Sequence, residues 1–218
     1  MNTLGAKPTE NAVILFNGKD LNNWSTRDSQ PATWTVKDGF MQVIGRPGNI
    51  MTKEVMTDFY LHLEFRCPDM PQATGQKKGN SGVFLQGRYE IQVLDSYGWD
   101  IPGKGDCGAI YNRHAPLVNA CKPALQWQTY DVFFCAPRIN DVGEVTEPVR
   151  LTVIQNGQTI QNNVQIPVPT DEEWIKEAAT PGPLMLQDHG GDEVAYRNIW
   201  AVPLPTKGSD TYEPRQSE

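Results

Sequence analysis

Residues around position 90 combine side chains suited to acid–base chemistry and to hydrogen bonding with a ligand. Glu90 and Gln92 are separated by one residue, so in a β-strand both would project from the same face. Tyr89, Ile91 and Val93 would project from the other face and enter a hydrophobic core. A carboxyl group can transfer protons, and an amide can donate and accept hydrogen bonds. The segment therefore predicts a strand with one structural and one functional face.

His189 is a second candidate for proton transfer, because an imidazole titrates near neutral pH. It follows Gln187 and Asp188 and precedes Gly190 and Gly191. Glycines let the backbone approach a ligand closely. The plainer interpretation of the same residues is an exposed histidine in a turn.

Glu64 is a candidate partner carboxylate for Glu90. Glycosidic cleavage commonly uses two carboxyl groups, about 5–5.5 Å apart for retention and about 6.5–9.5 Å apart for inversion. Glu64 would share the face of Glu90 if segments 59–66 and 80–86 were neighbouring strands. Otherwise Glu64 would pair with Arg66 or another surface cation.

Two further carboxylates could partner Glu90, and each has a plainer interpretation. Asp95 ends its strand with the opposite parity and could cap a turn, and Asp188 belongs to a glycine-rich turn. Carboxylates and Asn side chains near loops would also suit calcium, and a His/Glu/Asp set would suit a transition metal. The sequence has no His-x-x-x-His spacing, so the metal ligands stay unassigned and a divalent cation stays open as a cofactor.

Other polar and aromatic residues could orient a ligand in such a site. Amide side chains suit bidentate bonding to hydroxyl groups, cations can stabilise an anionic ligand or intermediate, and aromatic rings can stack on a ring of the ligand. Trp24, Trp34 and Trp200 are better suited to the core. The candidates for ligand binding are Asn80, Gln92, Gln187, Arg66, Lys104, Arg197, Trp99 and Tyr111.

Segment 79–95 predicts a β-hairpin whose register decides whether Glu90 faces a ligand. A two-residue loop would mix apolar and polar side chains on both faces. A three-residue loop at 86–88 pairs Leu85 with Tyr89 and sorts the faces cleanly, and such loops with a left-handed glycine are common. A one-residue slip would turn every side chain to the other face. We therefore expect the three-residue loop.

The rest of the chain predicts short strands joined by turns. Residues 59–66 and 127–134 alternate in polarity, and Asn156-Gly157 is a strong hairpin signal. Residues 170–174 are typical of a capped helix start. The aperiodic, aromatic and glycine-rich segment 96–126 is expected to be a functional loop. About ten or more strands with almost no helix predict an all-β fold, a two-sheet antiparallel sandwich.

Composition excludes several functional classes. The 218 residues carry a net charge of -7, which argues against a nucleic-acid partner. No apolar run approaches the ~18 residues of a membrane span. We expect a single domain over 1–218, with its core at about 13–204 and polar termini at 1–12 and 206–218.

The four cysteines do not form a recognisable metal motif, since no Cys-x-x-Cys is present. Cys107 and Cys121 flank a loop-rich segment and could be joined by a disulfide. Four reduced, buried thiols are an equally good interpretation.

Eight motifs follow one another along the chain. They are Leu15-Phe16-Asn17-Gly18-Lys19-Asp20-Leu21-x-x-Trp24, Asp58-Phe59-x-Leu61-x-x-Glu64-Phe65-Arg66, Gly79-Asn80-Ser81-Gly82-Val83-Phe84, Tyr89-Glu90-Ile91-Gln92-Val93-Leu94-Asp95, Gly108-Ala109-Ile110-Tyr111, Trp127-x-Thr129-Tyr130, Gly182-Pro183-x-x-Leu186-Gln187-Asp188-His189-Gly190 and Arg197-Asn198-Ile199. Together these motifs resemble the 3-keto-disaccharide hydrolase family over roughly residues 13–204. One departure is Trp127-Gln128, where the family more often has Trp-Asn.

The resemblance implies a concanavalin A-like jelly roll that acts on sugars. The expected activity is glycoside cleavage of a 3-keto disaccharide or a related sugar, with Glu90 and His189 in acid–base roles. A non-catalytic, lectin-like carbohydrate-binding module is the alternative. The family is usually exported, so we expect a periplasmic or extracellular mature chain, although residues 1–12 lack the apolar region of a signal peptide.

Overall fold

The computed structural model describes residues 2–170 and 181–205, and these form short β-strands with one 3-10 turn at Gly75–Lys77. Residues 171–174 of the expected helix start lie outside the described part. The strands are β1 Val13–Phe16, β2 Trp24–Ser25, β3 Thr35–Lys37, β4 Phe40–Gln42, β5 Ile50–Met56, β6 Phe59–Arg66, β7 Ser81–Leu85, β8 Tyr89–Val93, β9 Gln128–Cys135, β10 Arg138–Ile139, β11 Val145–Glu147, β12 Val149–Gln155, β13 Gln158–Ile166, β14 Gly182–Leu186 and β15 Ala195–Pro203.

Within the described residues, the strands form two main antiparallel sheets and a small hairpin. The larger sheet has the order β13-β12-β9-β6-β15-β4-β3, with β1 also paired to β15. The smaller sheet has the order β2-β5-β14-β7-β8, and β10 pairs with β11. The all-β, two-sheet antiparallel prediction is therefore confirmed.

Alternating apolar residues explain why the two sheets pack face to face. Leu61, Leu63 and Phe65 of β6 are fully buried in the core, as are Ile91 and Val93 of β8. Successive side chains of a strand point to opposite faces of the sheet, so a strand that buries one face has apolar residues at every second position. Sheets that pack in this way bury their inner faces against each other.

Two buried tyrosines of the larger sheet are hydrogen-bonded to the smaller sheet. The Tyr130 hydroxyl donates to the backbone oxygen of Gln92 at 2.7 Å, and the Tyr196 hydroxyl donates to Ser81 Oγ at 2.7 Å. Burial raises the pKa of both phenols, so both remain neutral donors across the usual pH range. The tyrosines therefore link the larger sheet to the backbone of β8 and to a side chain of β7.

The turn chemistry sets the strand register as predicted. The β7–β8 hairpin pairs Leu85 with Tyr89 across a three-residue loop, and Gln86 and Gly87 have φ of 51° and 66°. The β12–β13 hairpin turns at Asn156-Gly157, with both residues in the left-handed region as a two-residue hairpin turn requires.

The long segment 96–126 is largely irregular, and part of it extends the smaller sheet. Ile110 forms an antiparallel bridge with Ile91, and the Tyr111 amide donates to the Glu90 backbone oxygen at 3.2 Å. Residues 108–111 therefore lie along the free edge of β8 and protect it. No helix among the described residues is long and apolar enough to cross a membrane.

The four cysteines are free thiols. Cys67, Cys107 and Cys121 are buried and Cys135 is exposed. Cys107 lies against the Tyr130 hydroxyl, with 3.3 Å between sulfur and oxygen. The described structure therefore favours reduced thiols over a Cys107–Cys121 disulfide, although one of the four thiols is not buried.

Candidate functional site

The outer face of β7, β8 and β14 is the candidate site. Glu90 and Gln92 project from this face, because Ile91 and Val93 fill the core on the other side. The register places Gly82 of β7 directly opposite Gln92. The three-residue hairpin loop therefore turns Glu90 toward the outer face, as the sequence predicted.

Gly82 leaves a hollow that the Glu90 carboxylate occupies. An added Cβ at Gly82 would lie 2.5 Å from Glu90 Oε1 and 2.6 Å from Phe84 Cε2. Real Cβ atoms do not approach other atoms so closely, so only glycine leaves room for both groups at this position. The Glu90 carboxylate thus lies over the backbone of β7, beside the edge of an aromatic ring, and the residue is 6% exposed.

Gln187 lies on the other side of this hollow. Its backbone amide donates to the Gly82 backbone oxygen at 3.0 Å, and its backbone oxygen accepts from Ser81 Oγ at 2.6 Å. Leu184 and Leu186 fill the core, so alternation turns Gln187 toward the outer face. Gln92, Gly82 and Gln187 therefore form a row across three adjacent strands.

Tyr111 forms a wall beside Glu90. Ile110 is buried in the core, so alternation directs Tyr111 to the outer face. Tyr111 Cε2 lies 3.8 Å from the position of an added Cβ at Gly105. The Gly105 backbone oxygen itself accepts from Gln92 Nε2 at 3.3 Å. The loop before residue 108 therefore contacts the functional face.

Two residues at this face were missed by the sequence analysis. Gln76 contacts both Asn80 and Gln92 from the 3-10 turn, and Thr170 Oγ1 accepts the Glu90 amide at 2.8 Å. Both residues lie outside regular strands. Without a periodic pattern, nothing in the sequence indicates which way such side chains point.

His189 lies in an exposed turn just after β14, on the same sheet as Glu90. Asp188 holds this turn by accepting the amides of Gly48 and Gly191, each at 2.8 Å. The Asp188 carboxylate is therefore engaged in fixing the turn.

Asp95 caps a turn, which is the plainer of the two roles that the sequence allows for it. Its carboxylate pairs with Lys78 Nζ at 3.0 Å and accepts the Tyr97 amide at 3.3 Å. Trp99 and Lys104 lie in the following loop with exposed side chains. The Lys104 backbone oxygen accepts the Asn112 amide at 2.9 Å.

Glu64 does not share the face of Glu90, because β6 lies in the larger sheet between β9 and β15. The strand adjacency on which their grouping depended is therefore wrong. Glu64 pairs with Arg197, with 2.6 Å between Oε2 and Nε. Burial would raise the pKa of Glu64, but hydrogen bonds from His62 and other donors lower it to about 2.

Arg66 also belongs to the larger sheet, so the structure does not bring it to Glu90. Its guanidinium lies over the Trp127 ring at 4.8 Å and over the Phe40 ring at 5.0 Å. Arg197 lies over the same Trp127 ring at 4.1 Å. Both cations are engaged on the far side of the sandwich from Glu90.

A buried charged cluster lies on this outer face of the larger sheet. His62 Nδ1 is 2.8 Å from Asp131 Oδ1, and His62 Nε2 is 3.8 Å from Glu64 Oε1. Burial opposes protonation of His62, but the hydrogen bond to Asp131 and the nearby Glu64 carboxylate raise its pKa. The N-terminal segment covers the cluster, with the Gly5 amide donating to Glu64 and Thr3 Oγ1 donating to Asp131.

The described residues contain no group of three or more His, Cys, Asp or Glu side chains arranged to hold a metal ion. The acceptors near Glu90 are instead mostly amide and backbone oxygens.

Solved structures with the same fold include carbohydrate-active proteins. A proposed glycosyl hydrolase from Parabacteroides distasonis shares 38% identity at a TM-score of 0.83, covering 89% of this chain and 84% of that chain. A second proposed glycosyl hydrolase from that organism shares 21% identity at a TM-score of 0.66, covering 91% and 99%. The alginate lyase Aly36B, at 9% identity and a TM-score of 0.50 over 92% and 100% of the chains, shares the fold alone.

A comparison with curated protein sequences finds no significant match. Residues 11–202, in contrast, match a defined family over most of the chain. This confirms the family assignment that the motifs predicted and supports a carbohydrate-active, glycosyl hydrolase-like fold. The chain belongs to the 3-keto-alpha-glucoside-1,2-lyase-like domain family.

Proposed function

We propose that this protein cleaves the glycosidic bond of a 3-keto disaccharide or a related sugar on the outer face of the smaller sheet. The observation that carries the proposal is the Glu90 carboxylate, which lies in the hollow over Gly82 within the row that joins Gln92 to Gln187. A carboxyl group in mid-sheet, among amides and beside Tyr111, suits both proton transfer and sugar binding.

The chemistry of a keto sugar gives these residues specific roles. The C3 ketone acidifies the C2 proton, so a base can remove it while the C1–O bond breaks. The electron pair leaves with the aglycone oxygen, which takes a proton from an acid. Water then adds across the new C1=C2 bond, and the sum is hydrolysis. We assign the acid and base work to Glu90 and His189.

The remaining contacts would hold the sugar against the sheet. Stacking on an aromatic ring and hydrogen bonds to amides together fix the position and orientation of a pyranose. Trp99 and Lys104 remain candidate contacts from the neighbouring loop. The residues that we assign to orienting the substrate are Asn80, Gln92, Tyr111 and Gln187.

The distribution of carboxylates supports elimination over a two-carboxylate mechanism. Glu64 lies on the larger sheet, Asp95 pairs with Lys78, and Asp188 is engaged by two backbone amides. None of these three is placed as the opposing carboxylate that retention or inversion needs. An elimination needs one base and one acid, which Glu90 and His189 can supply.

A non-catalytic carbohydrate-binding module is the second candidate. It is favoured by the linked amides of Gln76, Asn80 and Gln92, because such side chains bind hydroxyl groups without any chemistry. In either case the ligand is a carbohydrate, and an exported location is part of the proposal.

The test compares Glu90→Gln with the wild type on a 3-keto disaccharide and on its unoxidised parent. We expect the wild type to cleave only the keto sugar. The variant should lose about 100-fold or more in turnover, because a positioned acid or base contributes that much, and it should keep binding. Glu54→Gln, at an exposed position on β5, is the matched control and should retain full turnover.

Each alternative has its own outcome in the same assay. Wild-type binding without any turnover would favour the binding module. Wild-type turnover and binding retained in Glu90→Gln would refute the role of Glu90.

A further inference from the structure

Three amide side chains are linked beside Glu90, with Gln76 at the centre. Gln76 Oε1 accepts from Gln92 Nε2 at 3.0 Å and from Asn80 Nδ2 at 3.2 Å. Gln76 Nε2 donates to the Gly105 backbone oxygen at 2.7 Å. The 3-10 turn, the loop around Gly105 and strand β8 therefore meet at one side chain.

Two backbone carbonyls fix the orientation of these amides, because a carbonyl oxygen can only accept. The Gly105 oxygen accepts from both Gln76 Nε2 and Gln92 Nε2, and the Gln76 backbone oxygen accepts from Asn80 Nδ2 at 2.8 Å. Each nitrogen must therefore face these carbonyls. Rotating the Gln92 amide by half a turn would place its oxygen against the Gly105 oxygen.

This orientation leaves the Gln92 carbonyl as an unused acceptor. Gln92 Oε1 is buried without a hydrogen-bond partner in the described part of the chain, and the residue is only 1% exposed. Leaving a buried acceptor unpaired is unfavourable unless another group satisfies it. Gln187 Oε1 is also buried without such a partner there. The two oxygens belong to side chains on either side of Gly82.

We propose that Gln76 is a positioning residue that holds the Gln92 carbonyl as an acceptor for a sugar hydroxyl, and that the unpaired Gln187 carbonyl accepts a second hydroxyl of the same sugar. The inference rests on the proposed function and narrows its substrate class. With the Glu90 carboxylate between them, the floor of the site presents acceptor oxygens from three side chains. It therefore selects a neutral sugar with free hydroxyl groups and disfavours rings whose hydroxyls are alkylated or replaced by carboxylates.

The geometry allows one ring to reach both acceptors. Neighbouring strands lie about 4.8 Å apart, so the β8 and β14 backbones are separated by about 10 Å. Gly82 has no side chain, so the floor between them is formed by the Glu90 carboxylate lying over the Gly82 backbone. Two long glutamine side chains on either side of this gap can approach opposite edges of one pyranose.

The experiment measures the binding of two probes, a 3-keto disaccharide and its fully O-methylated derivative, by calorimetry in the Glu90→Gln protein, which should bind the sugar without cleaving it. This parent protein should bind the hydroxylated probe much more tightly, and each further substitution is made in it. Gln76→Leu should weaken that binding about tenfold, because the Gln92 amide loses its 3.0 Å bond to Gln76 and is then held only by the longer, 3.3 Å bond to the Gly105 oxygen. It should also reduce the discrimination between the probes, since a rotated amide presents a donor. Gln92→Leu should have the same effects, and Gln126→Leu, at an exposed loop position, is the matched control.

The ratio of the affinities for the two probes is the decisive readout. If Gln76 had a purely structural role, its replacement would weaken the binding of both probes equally. Gln76 is an exposed residue, so its replacement should leave the melting temperature nearly unchanged. Equal weakening of the binding of both probes, which would leave the affinity ratio unchanged, would overturn the inference but not the proposed function. Failure of the Glu90→Gln parent protein to bind either probe would overturn the proposed function and the inference with it.

Discussion

At the scale of single residues, the site depends on a position without a side chain. Gly82 does not have the positive φ that favours glycine elsewhere in the chain. Its importance is therefore steric, because the Glu90 carboxylate and the Phe84 ring occupy the space of a Cβ. The conformation of the Glu90 carboxylate, which we propose to be catalytic, therefore depends on the absence of a side chain at Gly82.

Gly82→Ala is expected to displace the Glu90 carboxylate and lower kcat/KM at least tenfold, because misplaced catalytic groups lose much of their effect. The alanine backbone itself is unstrained there, so loss of stability should be modest. Turnover of a 3-keto disaccharide and thermal melting measure the two effects. Gly103→Ala is the control, because its added Cβ would meet only Asp106 at an ordinary 3.4 Å. Wild-type kcat/KM in Gly82→Ala would contradict this account.

At the scale of strands and loops, the sequence predicts the face of the sheet on which a side chain lies better than it predicts which strands are neighbours. Alternation places Glu90 and Gln92 on one face, and the loop chemistry at Gln86 and Gly87 sets the hairpin register. Alternation in β6 likewise shows that Glu64 opposes the core. It does not show which strand lies beside β6, because pairing between distant segments leaves no local pattern. Glu64 was therefore grouped with Glu90 although the two lie on different sheets.

Strand β5 and the position of Gln76 were missed for a related reason. Only Ile50, Thr52 and Met56 of β5 are buried, so no regular alternation marks the strand. Gln76 lies in a 3-10 turn with no buried residue, and its role comes from contacts with β8 and Gly105. Contacts made across the fold cannot be inferred from the polarity of neighbouring residues.

The contacts of Glu64, which include the N-terminal segment, should make the stability of the fold depend on pH. The pKa of Glu64 is lowered to about 2 in the folded protein, from 4.5. A carboxylate with a lowered folded-state pKa stabilises the fold above its unfolded value, and this contribution is lost as pH falls through the folded value. The melting temperature should therefore fall between about pH 4.5 and pH 2, and it should fall less steeply in Glu64→Gln.

The measurement is thermal unfolding of both proteins across this pH range. Asp131 and Asp58 also have lowered pKa values, despite burial, because of hydrogen bonds from His62 and Arg138 respectively. Some acid sensitivity should therefore remain in the variant. Parallel pH profiles for the two proteins would show that the contacts of Glu64 do not stabilise the fold in this way.

At the scale of the whole molecule, the two outer faces of the sandwich differ in what they can bind. The face of the larger sheet is occupied by its own groups, with Arg66 and Arg197 stacked on Trp127 and the N-terminal segment over His62. The face of the smaller sheet has Glu90 over a glycine hollow. Tyr130 and Tyr196 link the larger sheet to the backbone of β8 and to a side chain of β7.

The most direct test of this account is a crystal structure of Glu90→Gln soaked with a 3-keto disaccharide, because the variant should bind the sugar without cleaving it. The account predicts density for the sugar over Gly82, within hydrogen-bonding distance of Gln92 and Gln187. A sugar bound instead on the outer face of the larger sheet would contradict it.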